Sequence, residues 1–95
     1  MGQKYNKVVF IQPSLVGNFQ REGNKLTAPG VKLLISERKQ PTPNKPKYFL
    51  VDKVNDCHIS GLFETEALYT YNFDYNGVKY LLTLTPTIAT ITLRP

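Results

Sequence analysis

Residues 68–85, LYTYNFDYNGVKYLLTLT, decide the fold of this chain. Aromatic rings at positions 69, 71, 73 and 75 alternate with polar residues and are followed by Asn76-Gly77. A period of two places the rings on one face of a β-strand, and Asn-Gly is the dipeptide that a type I′ turn favours. The segment therefore predicts a two-residue β-hairpin.

This turn fixes which residues of the predicted hairpin face each other. Counting outward from it gives the pairs Tyr75–Val78, Asp74–Lys79, Phe73–Tyr80, Asn72–Leu81, Tyr71–Leu82, Thr70–Thr83 and Tyr69–Leu84. One face is then aromatic and aliphatic, while the other pairs opposite charges and hydroxyl groups. We expect the ring face to form core. Tyrosine is also enriched at interfaces, so Tyr69, Tyr71 and Tyr75 are candidate partner-binding residues.

Short β segments are predicted on both sides of the hairpin. Apolar, β-branched runs predict strands at residues 4–12, 31–36, 48–54, 57–63 (broken at 60–61) and 87–93. Residues 13–30 carry mostly turn signals, which indicate a long connection holding at most a short hairpin around Gly23. Helical spacing is confined to one turn within residues 62–69.

These elements predict one mainly β domain over residues 1–95. We expect a single antiparallel sandwich or a small, partly open barrel of five to seven short strands, with little or no helix. Threonines at positions 87, 90 and 92 favour residues 87–93 as an exposed sheet edge, where a second copy could pair to form a homodimer.

Composition limits the chemistry available to the chain. Cys57 is the only cysteine and His58 the only histidine, so neither a disulfide nor a four-ligand zinc site can form within the chain. Cys57 and His58 are consecutive, and consecutive strand residues point to opposite faces of a sheet. The thiol and the imidazole therefore cannot meet as nucleophile and base. Glu64 and Glu66 are better explained as a solvated face. We expect no catalysis, metal or cofactor.

The longest apolar runs have four residues, far short of the ~20 that cross a bilayer. A lone cysteine also suits a reducing compartment. We therefore expect a cytoplasmic protein without membrane association.

Positive charge is concentrated in the middle of the chain. Residues 21–53 carry eight Lys or Arg and three acids, and the whole chain has a net charge of +5. Residues 37–47 have no aliphatic side chain and three prolines, which predicts an exposed, basic, proline-stiffened loop. Candidate binding residues in and around it are Lys32, Arg38, Lys39, Lys45, Lys47, Tyr48 and Lys53.

Three interpretations of these residues stay open. Lysines and prolines solubilise a β protein and protect its edges. Cations interleaved with rings also suit RNA or single-stranded DNA, and the same charge would suit an acidic protein or nucleoprotein surface.

A β-rich chain under 100 residues, rich in Lys, Asn, Tyr and Ile and without a catalytic motif, resembles the small inhibitors that phages and mobile elements direct against bacterial defences, including anti-CRISPR proteins. The resemblance lies in size and composition. It implies a phage-encoded, non-enzymatic inhibitor in the bacterial cytoplasm, docking on a nucleoprotein such as an RNA-guided CRISPR nuclease or its guide RNA. The alternatives are a single-stranded RNA- or DNA-binding β-barrel module and a protein-interaction or structural subunit.

Overall fold

The computed structural model describes residues 15–94 and shows a closed, antiparallel β-barrel of eight strands. Each strand pairs with its neighbours in sequence, and β8 pairs with β1 to close the barrel. Residues 15–94 contain no helix. The strands are β1 (Gly17–Glu22), β2 (Lys25–Ala28), β3 (Val31–Glu37), β4 (Tyr48–Asp52), β5 (Cys57–Glu64), β6 (Thr70–Tyr75), β7 (Val78–Leu84) and β8 (Ile88–Leu93).

The expected mainly β architecture is confirmed, with eight strands where five to seven were expected. The strand predicted at residues 4–12 lies outside the described residues.

The β6–β7 hairpin has the predicted register from Thr70–Thr83 to Tyr75–Val78. Its turn residues Asn76 and Gly77 have φ angles of 54° and 78°, the left-handed conformation of a type I′ turn.

The predicted alternation stops one residue before β6 begins. Tyr69 has a φ of 58° and is 60% exposed, so its ring does not continue the core face. Only its backbone keeps the predicted position, because the carbonyl oxygen of Tyr69 accepts a hydrogen bond from the amide of Leu84 at 2.9 Å. The tyrosine predicted to face Leu84 is instead displayed at an end of the barrel.

The short hairpin predicted around Gly23 is present as β1–β2, and it occupies residues 17–28 of the segment that was expected to be mostly connection. Phe19 and Leu26 are the buried apolar side chains of this hairpin. Because only these two enter the core, the apolar pattern of the segment is sparse. The strand break expected at Ser60-Gly61 is also wrong: β5 is continuous, and its register against β4 shifts between Leu50 and Val51.

Closure of the barrel corrects the expected sheet edge at residues 87–93. Strand β8 pairs with β7 on one side and with β1 on the other, so neither of its edges is open. The prediction was wrong because β1, the second neighbour of β8, is formed by residues that were predicted to be part of a connection. A homodimer would therefore have to form through side chains rather than by pairing along β8.

The barrel interior is filled by side chains. An eight-stranded barrel is just wide enough for such filling, so ligands are expected at its ends rather than along its axis. The largest fully buried side chains are Leu26, Leu33, Leu50, Phe73, Leu82 and Ile91.

Candidate functional site

The topology divides the predicted binding residues between the two ends of the barrel. The loop end, formed by the β1–β2, β3–β4, β5–β6 and β7–β8 connections, holds Arg38, Lys39, Lys45, Lys47, Tyr48, Tyr69 and Tyr71. The turn end, formed by the other three connections, holds Lys32, Lys53 and Tyr75, with the Lys53 amide donating to the Lys32 carbonyl at 2.8 Å. One compact surface can therefore include only the first group.

The β3–β4 connection, residues 38–47, is a folded ribbon that lies against the barrel wall; it is called the basic loop below. Thr42 and Lys45 exchange backbone hydrogen bonds of 2.8 and 3.0 Å, and the Arg38 amide donates to the Lys47 carbonyl at 2.6 Å. The ring of Pro46 packs on Gly61 of β5. The loop therefore presents its lysines from a defined position.

Arg38 fastens the basic loop to the barrel. Its guanidinium lies 4.6 Å from the centroid of the Phe49 ring, and its Nε donates to the Pro46 carbonyl at 3.1 Å. The His58 ring lies 5.0 Å from that of Phe49, and its Nε2 is 3.4 Å from Nη2 of Arg38. These contacts commit Arg38 to holding the loop rather than to binding a partner.

Lys47 is also engaged within the chain. Its Nζ is 3.5 Å from a carboxylate oxygen of Glu37 and 5.4 Å from the centroid of the Tyr48 ring. The Tyr48 phenol first, and then Glu37, raise the pKa of Lys47. Lys39 and Lys45 are exposed, and neither forms an ion pair or a ring contact within residues 15–94. They are the cations of the loop that a partner can use.

Two adjoining clefts of about 340 and 170 Å³ open at the loop end. Both are lined by Arg21, Tyr69 and Leu84, and together they are called the mouth cleft. The larger is completed by Gly23, Thr85 and Pro86, and the smaller by Asn24, Ile35, Tyr48, Leu62 and Tyr71. The mouth cleft thus combines an apolar floor, three tyrosines and one cation.

Arg21 is held at the mouth by backbone carbonyls. Its Nε donates to Gly23 at 2.9 Å, its Nη1 donates to Thr85 at 2.8 Å, and its amide donates to Thr87 at 2.8 Å. In the described part of the chain it forms no ion pair with a carboxylate. The guanidinium is therefore fixed in place while its charge is not neutralised.

The phenol of Tyr71 is a neutral donor in the same cleft. Burial raises its pKa, and the nearby Glu64 carboxylate raises it further, while Arg21 acts in the opposite direction. The hydroxyl consequently stays protonated at neutral pH and can donate a hydrogen bond to a ligand.

Exposed apolar side chains accompany the cleft at the loop end. Leu68 is 79% exposed and Ile88 is 45% exposed, beside the exposed ring of Tyr69. A non-glycine residue with a φ of 58° is conformationally costly, by about 1–2 kcal/mol. The barrel therefore holds an aromatic ring in solvent by means of an unfavourable backbone conformation, which is typical of functional positions.

Neither Arg21 nor Leu68 carries a sequence signal that marks it as a binding residue. Arg21 lies in residues assigned to a connection, and its role depends on carbonyl groups of a turn more than sixty residues away in sequence. No local pattern carries that information. Leu68 directly precedes the alternating tyrosines. The alternation ends at Tyr69 because the backbone of that residue is left-handed, which the sequence does not show.

The groups considered for catalysis are dispersed. His58 packs on the outer wall, Cys57 is exposed at the start of β5, and none of the clefts described above is lined by His58, Glu64 or Glu66. Residues 15–94 contain no group of three or more His, Cys, Asp or Glu side chains that could hold a metal ion.

Within the same residues no helix is long and apolar enough to span a bilayer. Comparison of the chain with models of protein families, with curated proteins and with solved structures finds no match in any of the three.

Proposed function

We propose that this chain is a non-enzymatic binding protein that docks on a protein or nucleoprotein partner through the loop end of the barrel. The observation that carries the proposal is the display of the Tyr69 ring, in a costly backbone conformation, beside the unneutralised guanidinium of Arg21. Tyrosine and arginine are the residues over-represented among binding hot spots.

The surroundings of this pair have the composition of an interface. Leu68 adds an exposed apolar contact next to Tyr69, and Lys39 and Lys45 supply unpaired positive charge at the same end. An apolar centre with a charged rim is the usual arrangement at protein interfaces, and rim charges raise the rate of association with an oppositely charged surface. The favoured partner therefore presents an acidic surface.

An RNA-guided CRISPR nuclease is the first partner to test. Support for it comes from the likeness in size and composition to phage-encoded inhibitors, together with the mixed protein and phosphate surface of such a complex. The proposed action is stoichiometric: the barrel occupies a surface that the nuclease or its guide RNA needs, in the bacterial cytoplasm.

Target-DNA cleavage by a purified nuclease–guide complex, titrated with this protein, tests the proposal. We expect inhibition at equimolar amounts that is lost in Tyr69→Ser and in the double reversal Lys39→Glu/Lys45→Glu. The matched controls lie at the turn end: Val54→Ser, also an exposed apolar residue, and Lys32→Glu/Lys53→Glu. Both controls should inhibit like the parent chain.

Absence of inhibition would exclude the nuclease as the partner. The wider proposal is then tested by crosslinked capture from a bacterial lysate with the same four variants. Partners that are retained by the loop-end variants and lost by the turn-end variants would contradict docking through the loop end. A structural or interaction subunit would show the expected loop-end dependence without inhibiting a nuclease.

Single-stranded RNA or DNA is the second candidate, favoured by the combination of free lysines and an exposed ring at one end of the barrel. Lysines would follow the backbone, and Tyr69 would stack on a base. Fluorescence anisotropy with a labelled oligonucleotide should then show micromolar binding that weakens steeply with salt. No binding at low salt would remove this candidate.

A further inference from the structure

We propose that the mouth cleft binds a single carboxylate, carried on an apolar segment of a protein partner, with Arg21 as its counter-ion. The inference deepens the proposed function and rests on it. It assigns the ligand chemistry of one defined part of the loop end.

The hydrogen bonds of Arg21 leave a usable set of donors. A guanidinium has five N–H donors, of which one on Nε and one on Nη1 are taken by the carbonyls of Gly23 and Thr85. The remaining donors are on Nη1 and Nη2, the two nitrogens that form the end of the planar fork. Paired guanidinium nitrogens match the two oxygens of a carboxylate.

The two carbonyls also fix the guanidinium before a ligand arrives. A side chain that is already held loses little conformational freedom on binding, which favours affinity. The carbonyls are neutral, so they position the charge without cancelling it. Tyr71, protonated at neutral pH, and Asn24 provide further donors in the lining of the smaller cleft.

The lining indicates what carries the carboxylate. Leu84, Tyr69 and Pro86 are the apolar residues around Arg21 in the larger cleft. Its volume of about 340 Å³ is at the lower end of the range of small-molecule sites, roughly 300–1,000 Å³. A side chain or a chain terminus with an apolar part fits these dimensions.

The charges near the cleft favour one carboxylate over a polyanion. Among the described residues that line the mouth cleft, Arg21 is the only cation. Glu64 lies close enough to Tyr71 to raise the pKa of its phenol, so negative charge already borders the site. A nucleic-acid backbone brings several phosphates and needs several cations, whereas one carboxylate is matched by one guanidinium.

The test uses the full chain and small probes of matched shape: benzoate, its neutral isostere benzamide, and phenyl phosphate. Binding is followed in the amide and arginine Nε–H NMR spectrum. We expect benzoate to shift the signals of Arg21, Gly23 and Thr85 saturably. Its dissociation constant should rise about tenfold or more in Arg21→Gln, because a charge-assisted hydrogen bond is lost.

Control variants and probes separate the alternatives. Lys32→Gln removes the same charge at the turn end and should leave benzoate binding unchanged. Tyr69→Ser keeps Arg21 and removes one wall of the cleft, so it should also weaken benzoate binding. This second variant tests the cleft even where Arg21→Gln disturbs the turn at residues 85–87. Benzamide binding as tightly as benzoate would overturn the proposal. Phenyl phosphate binding more tightly, with shifts at Lys39 and Lys45, would overturn it in favour of phosphate.

Failure of this inference is distinguishable from failure of the proposed function. If benzoate does not bind while Tyr69→Ser still abolishes inhibition or capture, the carboxylate assignment is wrong and docking through the loop end stands. If benzoate binds as expected while no loop-end variant changes inhibition or capture, the cleft is a carboxylate site and the proposed docking is wrong.

Discussion

The ring of Pro46 lies so close to Gly61 that a Cβ atom on residue 61 would be 2.6 Å from Cγ and 2.7 Å from Cδ of the proline. Such a separation is well inside van der Waals contact, so only glycine fits on β5 beneath the basic loop. This contact, together with the stacking of Arg38 on Phe49, sets where the loop lysines stand.

We therefore expect Gly61→Ala to push the basic loop away from the barrel. The overpacking should lower the free energy of unfolding by about 1–3 kcal/mol, measured by urea denaturation. Pro46→Ala removes the ring, so Gly61→Ala should cost far less in that background. An equal cost in both backgrounds would show that the contact with Pro46 does not set the position of the loop.

A second prediction concerns the strained tyrosine. Tyr69→Gly removes the ring and relieves the cost of the left-handed conformation, so we expect unfolding free energy to stay level or rise by up to about 1 kcal/mol. Tyr69→Ala loses the same ring but keeps the strain, and should be the less stable of the two. Both should lose partner binding. Equal stability of the glycine and alanine variants would contradict stored strain at this position.

A part of the fold can be predicted from the sequence where residues close together in the chain determine it. The β6–β7 hairpin is readable because Asn76-Gly77 and the ring alternation lie within eighteen consecutive residues. Of the β1–β2 hairpin only the turn at Gly23 is readable, because few of its side chains are buried and its position comes from pairing with β8, as in the Thr90 hydroxyl contact with the Asn18 side chain at 3.1 Å.

The features of the candidate site likewise differ in whether the sequence alone reveals them. The basic loop is visible as composition, since charge and proline are properties of the segment itself. Which of its cations are free is not visible, because Arg38 and Lys47 are engaged by rings and a carboxylate that only the folded chain brings near. The mouth cleft, assembled from six strands and their connections, has no sequence signature.

A third prediction concerns the core. Leu50 is fully buried at the centre of β4, so Leu50→Ala should lower the free energy of unfolding by about 2–5 kcal/mol. Leu93→Ala makes the same change at a side chain that is 60% exposed and should stay within about 0.5 kcal/mol of the parent. Denaturant midpoints of the two variants measure the difference. Similar losses in both would contradict the inward orientation of Leu50.

A fourth prediction concerns acid stability. Burial alone would raise the pKa of Asp52, but hydrogen bonds from the Asn55 side chain and from the amides of Asn55 and Val54 outweigh it and lower the pKa below 3.8. A lowered pKa means stability that is present above the unfolded value and lost as pH falls through the folded one. Asp52→Asn should therefore flatten the acid limb of the stability curve.

Asp56→Asn is the matched control, because it removes a carboxylate from the same turn without touching these hydrogen bonds. Urea denaturation across the acid range measures both variants. If the free energy of unfolding of Asp52→Asn falls with pH as steeply as that of the parent chain, the hydrogen bonds to Asp52 do not determine the acid sensitivity.

The last prediction uses Tyr71 to report on the charge of Arg21. Burial and Glu64 raise the pKa of Tyr71 above 10.0, and Arg21 partly offsets the rise. Stability from the neutral phenol is then present below the unfolded pKa and lost as pH rises through the folded one. Tyrosine Cζ NMR, with Tyr71→Phe assigning the signal of this phenol, should show Arg21→Gln moving its titration to still higher pH. Because a bound carboxylate adds negative charge beside the phenol, saturating benzoate should shift it in the same direction in the parent chain and not in Arg21→Gln. An unchanged titration in Arg21→Gln would mean that the guanidinium does not act on the cleft electrostatically, and would leave Arg21 with its hydrogen bonds to the turn alone.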